Sequence, residues 1–232
     1  KSVAEAVHAA AVAAGLDLEN PTPENMAQTL TNVLVEEFKY VGDEDTYDDL
    51  ENANLMRVIE RRRGLPVTLG ILYIAAARAQ GWGVAGLNFP GHFLIRLESR
   101  DGRRIIIDPF HAGRLMETQA LRELLKLIHQ DAGAELEADH YKPVSNREVL
   151  IRLQNNVKTR RVELNEVAGA LEALASMQTL DPSNAGLWRE AGVMHMRLGH
   201  IKHAVEAFEE FVARAPEGPD RRKIGQVVHE LR

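Results

Sequence analysis

The 232-residue sequence predicts an α+β domain with a helical N-terminal part, followed by an all-α domain of helical repeats. Three patterns carry that prediction. Apolar residues recur at helical spacing through the first third of the chain. The period then drops to two around Phe93–Leu97 and again over Arg103–Asp108, and the last third repeats itself every 34 residues. With 45% hydrophobic and 27% charged residues, the composition is that of a soluble globular protein long enough for one or two domains.

Ser2 to Ala14 is Ala-rich and stops at Gly15, so it reads as the first helix. Thr22-Pro23-Glu24 combines an N-cap residue, a proline at the first helical position and an early acid. The helix it opens should run to about Tyr40 and bury Met26, Leu30, Val33, Leu34 and Phe38. The acidic segment from Asp43 to Glu51 lacks the alternating oxygen ligands and turn glycine of a calcium loop, and reads as solvated. Asn54 to Arg63 is a short helix whose Arg61-Arg62-Arg63 run should face solvent or pair with that acidic segment. From Pro66 to Gln80 apolar side chains surround the helix axis, the mark of a buried helix with unpaired N–H groups at its start. Thr68 lies in that first turn, where its hydroxyl serves either as a local backbone partner or as a nucleophile.

Two strands follow, one carrying His92 and one ending in Asp108, joined at Asp101-Gly102. A two-residue loop would place Asp108 opposite Ile95, away from His92. A three-residue loop, Arg100-Asp101-Gly102, pairs Ser99 with Arg103, Leu94 with Asp108 and His92 with Phe110, and puts glycine where a G1-bulge hairpin needs it. In that register His92 and Asp108 are diagonal neighbours about 7–8 Å apart between backbones, within side-chain reach. The second register is the expected one. Phe110 to Arg114 should leave the sheet, Glu117 to Gln130 forms a helix, and Tyr141 to Ser145 reads as a linker. Residues 1–140 and 146–232 are therefore the expected domains.

In the second domain Pro182 and Pro216 are 34 residues apart, and the same offset relates Leu153 to Leu187, Ala170 to Ala204 and Leu174 to Phe208. With Trp188, Gly192, Gly199, Ala204, Phe208 and Pro216, this resembles the tetratricopeptide (TPR) repeat. Two repeats, about 148–181 and 182–215, would be closed by a capping helix from Asp220 to Arg232.

A wider resemblance rests on Glu60-Arg61-Arg62-Arg63-Gly64-Leu65-Pro66-Val67-Thr68-Leu69, on Asn88-Phe89-Pro90-Gly91-His92-Phe93-Leu94-Ile95-Arg96 and on Asp108-Pro109-Phe110. In order and in kind these motifs resemble the bacterial SirB family, a transglutaminase-like (papain-like) core followed by TPR repeats. The resemblance runs from about Thr29 to the C-terminus and implies that His92 and Asp108 occupy the family's His and Asp positions. The remaining position, the nucleophile at the start of the central helix, falls between Pro66 and Thr68, and the chain has no cysteine.

A thiolate is what makes such chemistry work near neutral pH, since a hydroxyl is far harder to deprotonate. The sequence therefore points to a non-catalytic interaction or regulatory module that binds a protein or peptide on the concave TPR surface. The alternative is a hydrolase or acyltransferase in which His92 is the base, Asp108 its orienter, and Thr68 or water the nucleophile. A metal site at His92, Asp108 and His111 is disfavoured, because His111 has the wrong strand parity to meet His92. No cofactor is expected. A formal charge of −6 argues against general nucleic-acid binding, and no apolar run reaches membrane-spanning length. The lack of cysteine suits a cytoplasmic setting, while a start at Lys1 leaves a removed leader open. Nothing in the sequence fixes the oligomeric state.

Overall fold

The computed structural model describes residues 2–232 and divides into two compact units, Lys1–Val149 and Leu150–Arg232. In the first unit, helix α1 (Val3–Ala13) opens on a capping box between Ser2 and Glu5. Helix α2 (Pro23–Thr31) is capped by Thr22, whose hydroxyl oxygen accepts from the Asn25 N–H. The expected single helix to Tyr40 instead widens into a π-helical turn over Asn32–Glu37. Val33 and Leu34 stay in the core, but Phe38 is only half-buried and stacks on Tyr40, which takes the buried position.

Strands β1 (Val41–Gly42) and β2 (Arg63–Gly64) form a short parallel pair. Between them lie the acidic segment and helix α3 (Leu55–Arg61), capped by Asn54. Arg62 ends α3 in the left-handed conformation, with φ of 61°, so the three consecutive arginines fan apart. Arg61 reaches Asp43 and Asp49 at 3.5 and 3.4 Å, and Arg63 reaches Asp45 at 3.2 Å. Arg62 instead lies over the Tyr40 ring, 4.7 Å from its centroid, and donates to its hydroxyl. Arg61 and Arg63 thus staple the acidic segment, while Arg62 holds Tyr40.

Helix α4 (Pro66–Arg78) buries residues on all sides and forms the centre of the unit. Beside it lies a five-stranded antiparallel sheet of β3 (Gly83–Leu87), β4 (Ile95–Glu98), β5 (Arg104–Asp108), β6 (Arg114–Leu115) and β7 (Pro143–Val144), in the order β6-β5-β4-β3-β7. Phe93 fixes the helix-to-sheet distance: its ring occupies the space beside Gly70 of α4 and Gly86 of β3, where an added Cβ would overlap it. Helix α5 (Thr118–His129) contributes Leu121 and Leu125 to a cluster with Leu87, Phe89, Leu94 and Met116.

Two sequence expectations change here. The chain after Phe110 returns to the sheet as β6, with Ile107 opposite Leu115 and Asp108 opposite Arg114. The supposed linker supplies β7, which pairs Pro143 with Leu87 and Val144 with Gly86. An edge position is where a strand tolerates a proline, which has no N–H to donate.

The unit boundary falls within helix α6 (Asn146–Glu163), after which come α7 (Val167–Leu180), α8 (Ala185–Arg197), α9 (Ile201–Arg214) and α10 (Pro219–Leu231). Positions related by the 34-residue offset share burial: Leu153 with Leu187, Ala170 with Ala204, Leu174 with Phe208. Ala170, Leu174, Met177, Leu187, Ala191 and Met194 form one cluster of the second unit. Val228 of α10 closes another against Ala204 and Phe208 of α9, as a capping helix should. Gly192 is needed where it stands, because the Phe208 ring fills the space a Cβ would take. The first repeat has Lys158 at that position, buried and ion-paired with Glu190.

Candidate functional site

The site is built on a turn, a hairpin and a second turn. Pro90-Gly91-His92 closes tightly, the His92 N–H donating to the Pro90 carbonyl at 2.8 Å, so His92 sits in the turn feeding β4 rather than inside the strand. The β4–β5 hairpin adopts the three-residue-loop register: Ile95 lies opposite Ile107, Glu98 opposite Arg104, and the Ser99 N–H bonds the Arg103 carbonyl at 3.0 Å. Carried one pair further, that register brings Leu94 opposite Asp108 at the end of β5. His92 and Asp108 meet, with Nε2 at 2.9 Å from Oδ2, and the Phe110 ring stands edge-on to His92.

Asp108 is 2% exposed, and four donors converge on it. Its Oδ1 accepts from the N–H groups of Phe110 and His111 at 3.0 and 3.4 Å, an Asx turn that ends the strand. Its Oδ2 accepts from His92 and also from His111 Nδ1 at 2.7 Å. The parity expectation for His111 therefore fails. It assumed that the strand continues, whereas the chain leaves β5 at Asp108 and passes through Ala112 in the left-handed region, with φ of 54°. His111 comes back to stack on His92, ring centroids 5.8 Å apart. The signal for this was in the sequence: an Asp-Pro pair closing a strand, with a histidine three residues after the Asp.

With both imidazoles donating to one carboxylate oxygen, the network assigns a proton to Nε2 of His92 and to Nδ1 of His111. Nδ1 of His92 is then the ring nitrogen that Asp108 does not engage. Burial acts to raise the Asp108 pKa, but the hydrogen bonds and positive charge of His92, then of His111, outweigh it and hold the carboxyl below the usual carboxylate range. One ligand atom from each of His92, Asp108 and His111 lies within 4.8 Å of the other two, a spacing from which a metal ion can be held.

Thr68 does not join them. It is fully buried, and its hydroxyl donates to the Asn52 and Leu65 carbonyls, each at 3.0 Å. The acidic segment flanks the site: Tyr47 packs edge-on against Phe110, and Glu44 Oε1 lies 3.9 Å from His111 Nε2. Within the second unit, α6 and α8 line a groove of about 660 Å³ with Lys158, Val162, Arg189, Val193, Met194 and Arg197.

A model of the transglutaminase-like superfamily matches residues 1–155. The chain belongs to that superfamily. In this transglutaminase-like protein a tetratricopeptide-repeat model then matches residues 158–229, giving the domain order of the SirB-like family. A UPF0162 protein of Xylella fastidiosa (strain 9a5c) is 32% identical over 183 residues, covering 77% of this chain and 63% of its own length. Protein SirB1 of Salmonella typhimurium is 25% identical over 180 residues, covering 76% of this chain and 66% of that protein. F-box only protein 21 of Mus musculus is 29% identical over 147 residues, 60% of this chain but 22% of that much longer protein. The chain thus spans less than two thirds of the Xylella relative named here. Among the described residues no helix is long and apolar enough to cross a membrane.

Proposed function

We propose that this transglutaminase-like protein is a non-catalytic interaction or regulatory module, acting in the cytoplasm and binding a protein or peptide partner through its TPR unit. The observation that carries the reading is the state of the nucleophile position. The chain has no cysteine, and the hydroxyl nearest that position, on Thr68, is fully buried and given to two backbone carbonyls. A hydroxyl so placed has neither a base nor substrate access, both of which nucleophilic catalysis requires. The groove between α6 and α8 supports a partner surface, since it sets apolar Val162, Val193 and Met194 among charged Lys158, Glu163, Arg189, Glu190 and Arg197. Its lining carries both signs of charge, and the overall charge of −6 favours a peptide over nucleic acid.

The His92–Asp108 bond favours a second reading, a hydrolase or acyltransferase in which His92 activates water. One experiment separates the two. Wild-type protein, an Arg189→Glu/Arg197→Glu variant and His92→Ala are compared in quantitative capture from a native bacterial lysate, and the captured proteins are then incubated with each and weighed by mass spectrometry. A partner lost with the groove variant, kept by His92→Ala and unchanged in mass supports the module. A partner whose mass changes only when His92 is present overturns it.

A further inference from the structure

We infer that His92, Asp108 and His111 form a binding site for a divalent transition-metal ion of the zinc or cobalt class. The donor atoms are His92 Nε2, Asp108 Oδ2 and His111 Nδ1, with the nitrogens 2.9 and 2.7 Å from the shared oxygen. Around a tetrahedral ion with bonds of about 2.0–2.1 Å, neighbouring ligand atoms stand about 3.3 Å apart. Each nitrogen must therefore back away from the oxygen by roughly half an ångström to admit the ion. His111 has room to do so, because its side chain is 45% exposed. The N–H protons that now bridge to the carboxylate must leave those two nitrogens, so each neutral imidazole ligates in its other tautomer, with the proton on Nδ1 of His92 and on Nε2 of His111, and Asp108 ligates as the carboxylate it already is.

The surroundings have the form of an outer shell. The Phe110 and His111 backbone N–H groups hold Asp108 Oδ1, which points Oδ2 at the histidines and leaves it to serve as ligand. On the far side of His111, Glu44 Oε1 stands 3.9 Å from Nε2, beyond hydrogen-bond distance, on the side where a second carboxylate would have to close in to orient a ligating imidazole. Two imidazoles and one carboxylate suit zinc, cobalt, nickel or ferrous ions, and are a poor set for magnesium or calcium, which take oxygen ligands. Three protein ligands leave a coordination position for water or for a side chain of a bound partner. The site does not depend on the module reading, since the ion needs neither a nucleophile nor the TPR groove.

The test uses the full chain without a polyhistidine tag, titrated with Zn²⁺ by calorimetry and with Co²⁺ by visible absorption. Wild-type protein should take up one equivalent of either ion. His111→Asn, at a half-exposed position that leaves the core intact, should weaken uptake by at least about tenfold, with His92→Asn as the second ligand variant. The decisive control is the other histidine group of the chain, His195, His200 and His203 in the second unit, whose rings lie 5.3–6.0 Å apart. Changing all three to Gln should leave uptake unaltered. The proposal is overturned by uptake no greater than that of the His92→Asn/His111→Asn double variant, by unweakened binding in a folded His111→Asn, or by binding that disappears with the second-unit histidines.

Discussion

Thr68→Val tests whether the hydroxyl at the start of α4 is architecture. The substitution keeps the side-chain shape and removes the one donor. Each carbonyl it served keeps another partner: the Leu65 carbonyl still accepts from the Leu69 N–H at 3.0 Å, and the Asn52 carbonyl from the Leu65 N–H at 3.3 Å. Neither oxygen is orphaned, so the loss sits at the low end for a buried hydrogen bond, about 1 kcal/mol. The incoming methyl would also stand where two oxygens now approach to 3.0 Å, closer than carbon tolerates, which brings the total to about 1–2 kcal/mol. With an m-value near 2 kcal/mol/M, the urea midpoint should fall by about 0.5–1 M. The assay must report the first unit alone, because two units need not unfold together. Fluorescence of the buried Trp82, measured in a Trp188→Phe background, does so. An unmoved midpoint would refute the structural role of Thr68. So would a folded, undiminished variant that has lost a turnover the wild type possesses.

Three further outcomes follow from the packing and the electrostatics. Gly70→Ala should destabilise the first unit by about 1–3 kcal/mol because its Cβ overlaps the Phe93 ring, and Phe93→Leu should recover part of that loss in the same Trp82 assay. Gly192→Ala should destabilise the second unit, read by Trp188 fluorescence, with Phe208→Leu as the relieving change that the first repeat already carries as Leu174. For Asp108 the native pKa lies below the unfolded one, so its contribution is present above the unfolded value and is lost as pH falls through the native value. Urea midpoints measured down an acid series should therefore drop more steeply for wild type than for Asp108→Asn; parallel curves would count against the His92–Asp108–His111 network.

The parts of the fold that could be read from the sequence were those with local, periodic causes. The buried helix after Pro66 showed as an unbroken apolar run, the TPR unit as a fixed offset, and the hairpin register as a glycine in the third loop position. His92 and Asp108 followed from that register. What stayed hidden was set by tertiary pairing. Pro143 and Val144 look like a linker because a two-residue edge strand has no periodicity to detect, and only Leu87 and Gly86 make it one. The π turn at Asn32–Glu37 left no mark on the apolar pattern, and so Phe38 was misplaced. His111 stayed hidden because strand parity holds only as far as Asp108, whose own carboxylate ends the strand.

The arginine staple makes one flank of the site responsive to dissolved ions. The segment that carries Glu44 and Tyr47 toward His111 and Phe110 is tied down by Arg61 and Arg63 through Asp43, Asp45 and Asp49. Asp43 is buried, whereas Asp45 and Arg63 face solvent, so the ties differ in their shielding. At physiological ionic strength, with a screening length of about 8 Å, the outer ties are weak while the inner one keeps its strength. Added salt therefore loosens the outer end of this segment before it touches the anchor at Asp43. Ligand measurements made in dilute and in concentrated buffer address the same histidines beside a differently fastened flank.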